Sequence, residues 1–166
     1  MNTQEIKIPQ PDEISKREKE DAMGAYFMMF AAWGVGLPLP VLNLIAAFIY
    51  FMINKKSSRF VAFHSLQSLL SQLPVTAANL SVIVWLFRII FAGDWYFPSS
   101  FFGLLVFMIL LNLLYLVISI ISLTKAKKGQ FYYMPFFGRL AFSRFYGPNA
   151  VELVKPTEPN KPPEGF

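Results

Sequence analysis

Three long stretches of this chain are almost free of charge, and their spacing organises everything else. From Ala22 to Ile53 there is no Asp, Glu, Lys, Arg or His, and the same holds from Pro98 to Thr124. From Phe60 to Phe91 only His64 and Arg88 interrupt the apolar run. Each stretch exceeds the roughly 20 apolar residues that cross a hydrocarbon core about 30 Å thick. The pattern predicts an all-α, polytopic integral membrane helical bundle. The first stretch is broken in its middle by Gly34-Val35-Gly36-Leu37-Pro38-Leu39-Pro40. Proline removes a helix hydrogen bond and turns the residue before it away from helical geometry. As one helix the stretch would reach about 48 Å. It reads better as two short helices, about 22–33 and 40–53, joined by a bend into a short broken hairpin; one kinked helix is the competing picture. Two long transmembrane helices follow, at about 60–91 and 101–124.

Outside this transmembrane domain of 22–124, the pattern changes three times. Residues 1–21 form a polar arm, read as a disordered leader in preference to a short helix in its charged second half, and their mixed charge excludes a secretory signal. Residues 125–146 interleave basic and aromatic side chains, as an interfacial segment does when its rings sit at headgroup depth and its arginines reach phosphate. Residues 147–166 hold five of the twelve prolines and read as an extended Pro-rich tail.

Charge sets the expected orientation. Basic clusters occur at Lys16, Arg17 and Lys19, at Lys55, Lys56 and Arg59, and at Lys125, Lys127 and Lys128, whereas the loop Gly93–Pro98 has none. Positive residues stay in the cytoplasm, so both termini are expected there, with a bacterial inner membrane as the location. The net charge of +5 comprises −2 from residues 1–21, +3 from 22–124 and +4 from 125–166. Lys and Arg beside apolar spans are ordinary anchors, so the lipid bilayer and other membrane protein subunits are the expected partners, and nucleic acid is not. Composition agrees: 55% hydrophobic and 15% charged residues depart from the ~45–50% and ~25% of soluble domains.

The second long stretch carries a stripe. His64, Gln67, Ser68, Ser71, Gln72, Thr76 and Asn79 follow at steps of one, three or four residues and fall on one half of a helix, with Phe63, Leu66, Leu69, Leu70, Leu73, Ala77 and Leu80 on the other. Polar groups gain nothing from facing lipid, so the stripe is expected to face protein or water. Asn112, Tyr115, Ser119 and Ser122 repeat the pattern on the last span, as facing polar positions. Such side chains serve as interhelical glue or line a hydrated cleft.

Chemistry is otherwise sparse. His64 is the sole histidine, and with no cysteine and no nearby carboxylate it lacks fellow metal ligands. It has no partner nucleophile. Asp94, the only acidic residue in 22–124, cannot supply paired acid/base work alone. No phosphate-binding or dinucleotide glycine pattern is present. The expectation is a non-enzyme without cofactor, catalytic residue, metal site or identified small-molecule substrate.

The run Arg59-Phe60-Val61-Ala62-Phe63-His64-Ser65-Leu66-Gln67-Ser68-Leu69, followed by two spans and by Lys128, Gly129, Tyr132, Pro135 and Phe136, resembles a bacterial membrane family of unknown function, the 4870 domain family. It is also similar to the family of the twenty-kilodalton Tic component of chloroplast import. Phe63, His64, Gln67 and Leu69 match their shared motif, with Ser68 where alanine is usual. The resemblance covers about residues 24–140 and implies a four-segment bundle with cytoplasmic termini. It also implies a link to protein translocation or insertion. Arg139 and Arg144 join the closing motif as interface anchors. The resulting expectation is an accessory or structural subunit of an inner-membrane complex; the alternative is a small channel or transporter with a polar path lined by the 64–79 stripe.

Overall fold

The computed structural model describes residues 7–31, 40–93, 95–147 and 158–163, and every regular element among them is helical. Helix α1 spans Lys16–Phe27 and runs into a 3₁₀ turn at Met28–Phe30; α2 spans Pro40–Asn54, α3 Arg59–Ala92, α4 Ser99–Lys127 and α5 Phe137–Phe145. The Gly/Pro bend expected near 34–39, the tip of the proposed hairpin, lies outside the described residues, as does Asp94.

The helix ends follow local chemistry. Ser15 and Glu18 form a reciprocal capping box that starts α1 inside the expected polar arm, and i,i+4 pairs Lys16–Glu20 and Arg17–Asp21 lie along its first turns. The reading of 1–21 as a disordered leader is therefore corrected for residues 7–21. Ile8 and Ile14 are buried before the helix begins. Ser58 caps α3 by accepting from the Val61 amide, and Gly93 closes it at φ +75°. Gly129, at φ +72°, ends α4 with amides returned to Ala126 and Lys125. Pro74 sits within α3 and deletes one ladder bond without ending the helix.

Two helices are long and apolar enough to cross a membrane: α3, with mean hydropathy 1.9, and α4, with 2.9. Only 28% and 11% of their most apolar windows are buried. A soluble core helix would be mostly covered, whereas here Val84, Phe87, Phe91, Phe102, Phe107, Leu110 and Leu113 stand exposed. A surface of that kind requires an apolar surrounding, so this is a membrane protein.

Packing is uneven along these rods. The α1 helix lies against the first half of α3 and the last half of α4, α5 packs on α3, and α2 runs along α3. All the basic clusters gather at this end. The α1 and α2 helices lie side by side with Tyr50 donating to the Asp21 carbonyl at 2.8 Å, and the absence of a side chain at Gly24 makes room for the Tyr50 ring. Beyond Val82, α3 and α4 continue as a pair around Val82, Ile89 and Phe101.

Candidate functional site: a sealed polar node and an open cleft

The stripe on α3 divides at about Ser71. Its first part builds a closed node. His64, Gln67 and Ser68 are buried, and the missing partner is Tyr26 of α1, whose hydroxyl lies 2.9 Å from His64 Nδ1 and accepts from Gln67 Nε2 at 2.9 Å. The same Gln67 amide donates to the Tyr132 carbonyl at 2.9 Å, while Gln67 Oε1 accepts from the Met134 amide at 3.2 Å. Ser68 Oγ donates to the Ala25 carbonyl at 2.8 Å. One glutamine thus ties α1, α3 and the segment after α4 together. Phe60, Phe63 and Phe131 ring the imidazole edge-on or tilted, with centroids 4.5, 5.1 and 5.8 Å away. Phe63 belongs to the half of the helix expected to face lipid, yet it is fully buried beneath this aromatic segment.

The closing motif supplies the lid. Gly129 adopts a left-handed turn against Pro11 and Lys19. Tyr132 contributes its carbonyl, and Phe136 adopts φ +64°, ψ −56° in a γ-turn closed by Phe137 N to Pro135 O at 2.7 Å. Gly138 lets α5 descend onto Gln67: an added Cβ would stand 2.9 Å from Gln67 Oε1 and from the Tyr133 backbone. Lys128, Pro135, Phe136, Arg139 and Arg144 remain exposed around the lid. Burial raises the Tyr133 and Tyr146 hydroxyls well above their usual range.

The second part of the stripe faces a different surrounding. Gln72, Thr76 and Asn79, with Asn112 and Tyr115 of α4, line a cleft of about 520 Å³ that is also bounded by Met29, Phe30, Pro40 and Asn43. Asn79 and Asn112 exchange amide bonds at 2.8 and 3.3 Å, and Asn112 also donates to the Met108 carbonyl at 2.8 Å. Below them, both amide atoms of Gln72, the Tyr115 hydroxyl and the Ser119 hydroxyl are buried without a protein partner. The Tyr115 hydroxyl faces Ser119, Ser71, Ser68 and Gln72. Ser71 and Ser122 bond to their own helices, at 2.9 and 2.7 Å.

Sequence reasoning missed Tyr26 and Asn160. One of the two tyrosines in the uncharged run from Ala22 to Ile53 was the available signal for the first. Asn160, in the presumed tail, is fully buried. It donates to the Pro9 and Gly129 carbonyls at 2.7 and 3.0 Å and accepts from the Phe131 amide at 3.1 Å. Nothing in its Pro-rich surroundings distinguished it.

The family model described as the magnetosome magnetite crystal formation protein family matches residues 20–141. The chain belongs to that family. No curated protein and no solved structure matches it. The family match overturns the resemblance to the 4870 domain family and to the Tic component, and protein translocation loses its support with it. The physical reason lies in the node. Phe63, His64, Gln67 and Gly129 are packing residues that hold a small helical bundle together, so their likeness to another family's motif reports architecture. In this magnetosome family member the matched stretch includes both long helices, the node and the cleft, and ends inside α5.

Proposed function

We propose that this chain is a non-catalytic, multi-pass protein of the magnetosome membrane that acts as a structural component in magnetite crystal formation, working with other membrane components. The observation that carries this reading is the family match across the helical body. The closed node adds support, because its imidazole, its amide and its hydroxyls are engaged in tying helices together. In this reading α3 and α4 cross the bilayer, and α1 with α2 forms a re-entrant hairpin entering from the basic end. By the positive-inside rule, that end and both termini face the cytoplasm. A conducting role is disfavoured, since the cleft stops at the fully buried Tyr26–His64–Gln67 node.

The test is genetic and microscopic. A magnetite-forming cell that lacks the chain is compared with one restored by a tagged copy. Crystal size and number are read by electron microscopy, and the tag is followed through membrane fractionation. Altered crystals, restored by the tagged copy in the magnetosome fraction, are the expected result. Unchanged crystals together with a tag absent from that fraction would overturn the proposal.

A further inference from the structure

The cleft holds too many unsatisfied polar groups to be dry. Gln72 is 2% exposed and Ser119 1%, yet Gln72 Nε2 and Oε1, Tyr115 Oη and Ser119 Oγ lack a protein partner. Gln72 and Tyr115 line a space of about 520 Å³, far above the ~30 Å³ share of one water molecule, and Ser119 lies behind Tyr115. Buried polar atoms next to such space are satisfied by water or by a ligand that can both donate and accept. Depth sharpens the point: Asn79 is the twenty-first residue of the 34 in α3, and Asn112 the fourteenth of the 29 in α4. In the proposed topology both therefore lie near mid-bilayer, where lipid offers no hydrogen-bond partner.

We infer that the cleft among Gln72, Thr76, Asn79, Asn112 and Tyr115 is a blind, water-filled binding site for small neutral molecules that hydrogen-bond, closed at the basic end by the Tyr26–His64–Gln67 node. Its lining carries amides and hydroxyls but no carboxylate, lysine or arginine. A bare cation would lose its hydration there without a compensating charge, so neutral occupants are favoured. This site is independent of the magnetosome role, because it rests on the orphaned polar atoms and the cavity alone.

The chain has no cysteine, so single cysteines can be read against a clean background. Thiol modification needs the thiolate, which forms in water and not among acyl chains. Full-length Thr76→Cys and the rim variant Ile83→Cys are placed in lipid nanodiscs and treated with a neutral hydroxyl-bearing methanethiosulfonate and with its trimethylammonium analogue. Lipid-exposed Val106→Cys is the dry control and exposed Tyr96→Cys the wet one. The neutral reagent should modify Thr76→Cys and Ile83→Cys at least tenfold faster than Val106→Cys. Relative to Tyr96→Cys, the cationic reagent should be at least tenfold slower than the neutral one at both cleft positions. Cleft cysteines as inert as Val106→Cys would show a site filled by lipid and overturn the inference; equal rates with both reagents would overturn its selectivity for neutral molecules. Thr76→Cys is nearly isosteric, and half-buried Ile83 at the cleft wall provides the second reading if the first variant does not fold.

Discussion

The two halves of one polar stripe meet different neighbours. From His64 to Ser68 the side chains are met by α1, by the segment after α4 and by a ring of phenylalanines, and Gln67 engages three partners. From Gln72 to Asn79, one helical turn further on, the same residue types face a cleft in which Gln72 has no protein partner. Side-chain chemistry does not separate the halves. The second layer does: α1 ends at Phe27 and α5 covers only the basic end, so the other half meets α4, Met29, Phe30 and the start of α2 instead. The lesson is that a polar intramembrane residue acts as glue or as cleft lining according to how far its neighbours reach.

Breaking the closed half should have the largest effect. Gln67→Leu removes an amide of similar length and strands the Met134 amide, the Tyr132 carbonyl and one bond to the Tyr26 hydroxyl. At about 1–3 kcal/mol for each buried group left unpaired, partly relieved by water at the lid, a loss of about 3 kcal/mol is expected. It should appear as a clearly lowered thermal midpoint and as rapid proteolysis between α4 and α5. By contrast, Gln72→Leu should leave the midpoint almost unchanged, because water already satisfies that amide. A large destabilisation by Gln72→Leu would erase the contrast between the halves.

Asn160→Ala probes the outer layer of the closed half. The side chain joins Pro9, Gly129 and Phe131, so its removal should release both terminal segments at a cost of about 2 kcal/mol. Hydrogen exchange at the Phe131 amide should accelerate while the amides of α3 stay protected. An unchanged Phe131 rate would mean that the terminal segments do not hold the lid.

The membrane character and both long helices were legible because uncharged length is a direct physical signal. The inward stripe was legible because helical spacing alone places seven residues on one side. What covers the stripe was not, since contacts such as Tyr26 with His64 join positions 38 apart in sequence, and no periodicity encodes a partner on another helix. A short helix in the charged half of residues 1–21 ranked below a disordered leader because its charge outweighed the Ser15–Glu18 capping signal. Family membership was misread because the recognised residues serve packing.

The Asn79–Asn112 pair tests the far end of the open half. It is half-buried, with two reciprocal bonds, and bonds of this kind average about 0.6 kcal/mol and reach about 1.7 in membrane bundles. A double-mutant cycle with Asn79→Ala and Asn112→Ala should give a coupling of about 1 kcal/mol or less, since water in the cleft competes for the amides. A coupling well above about 2 kcal/mol would indicate a dry contact.

The smallest expected effect lies at the start of α1. The Ser15 hydroxyl beside Glu18 holds that carboxyl below the usual value of 4.5, opposed by partial burial and helped by the Ser15 amide and by Ser58. A lowered carboxyl stabilises the folded state above its unfolded value and loses that contribution as pH falls through the folded one. Acidification from neutrality to below 4 should therefore loosen the first turn of α1. Ser15→Ala should cost about 1 kcal/mol at pH 7 and less at acid pH, where the protonated carboxyl has already weakened the box. Because α1 supplies Tyr26, fraying that spread along it would also be felt at His64, whereas fraying confined to Lys16–Lys19 would not. Hydrogen exchange along α1 separates the two outcomes. A Tyr26 amide that stays protected while the first-turn amides open would show that the node, rather than the cap, anchors this helix.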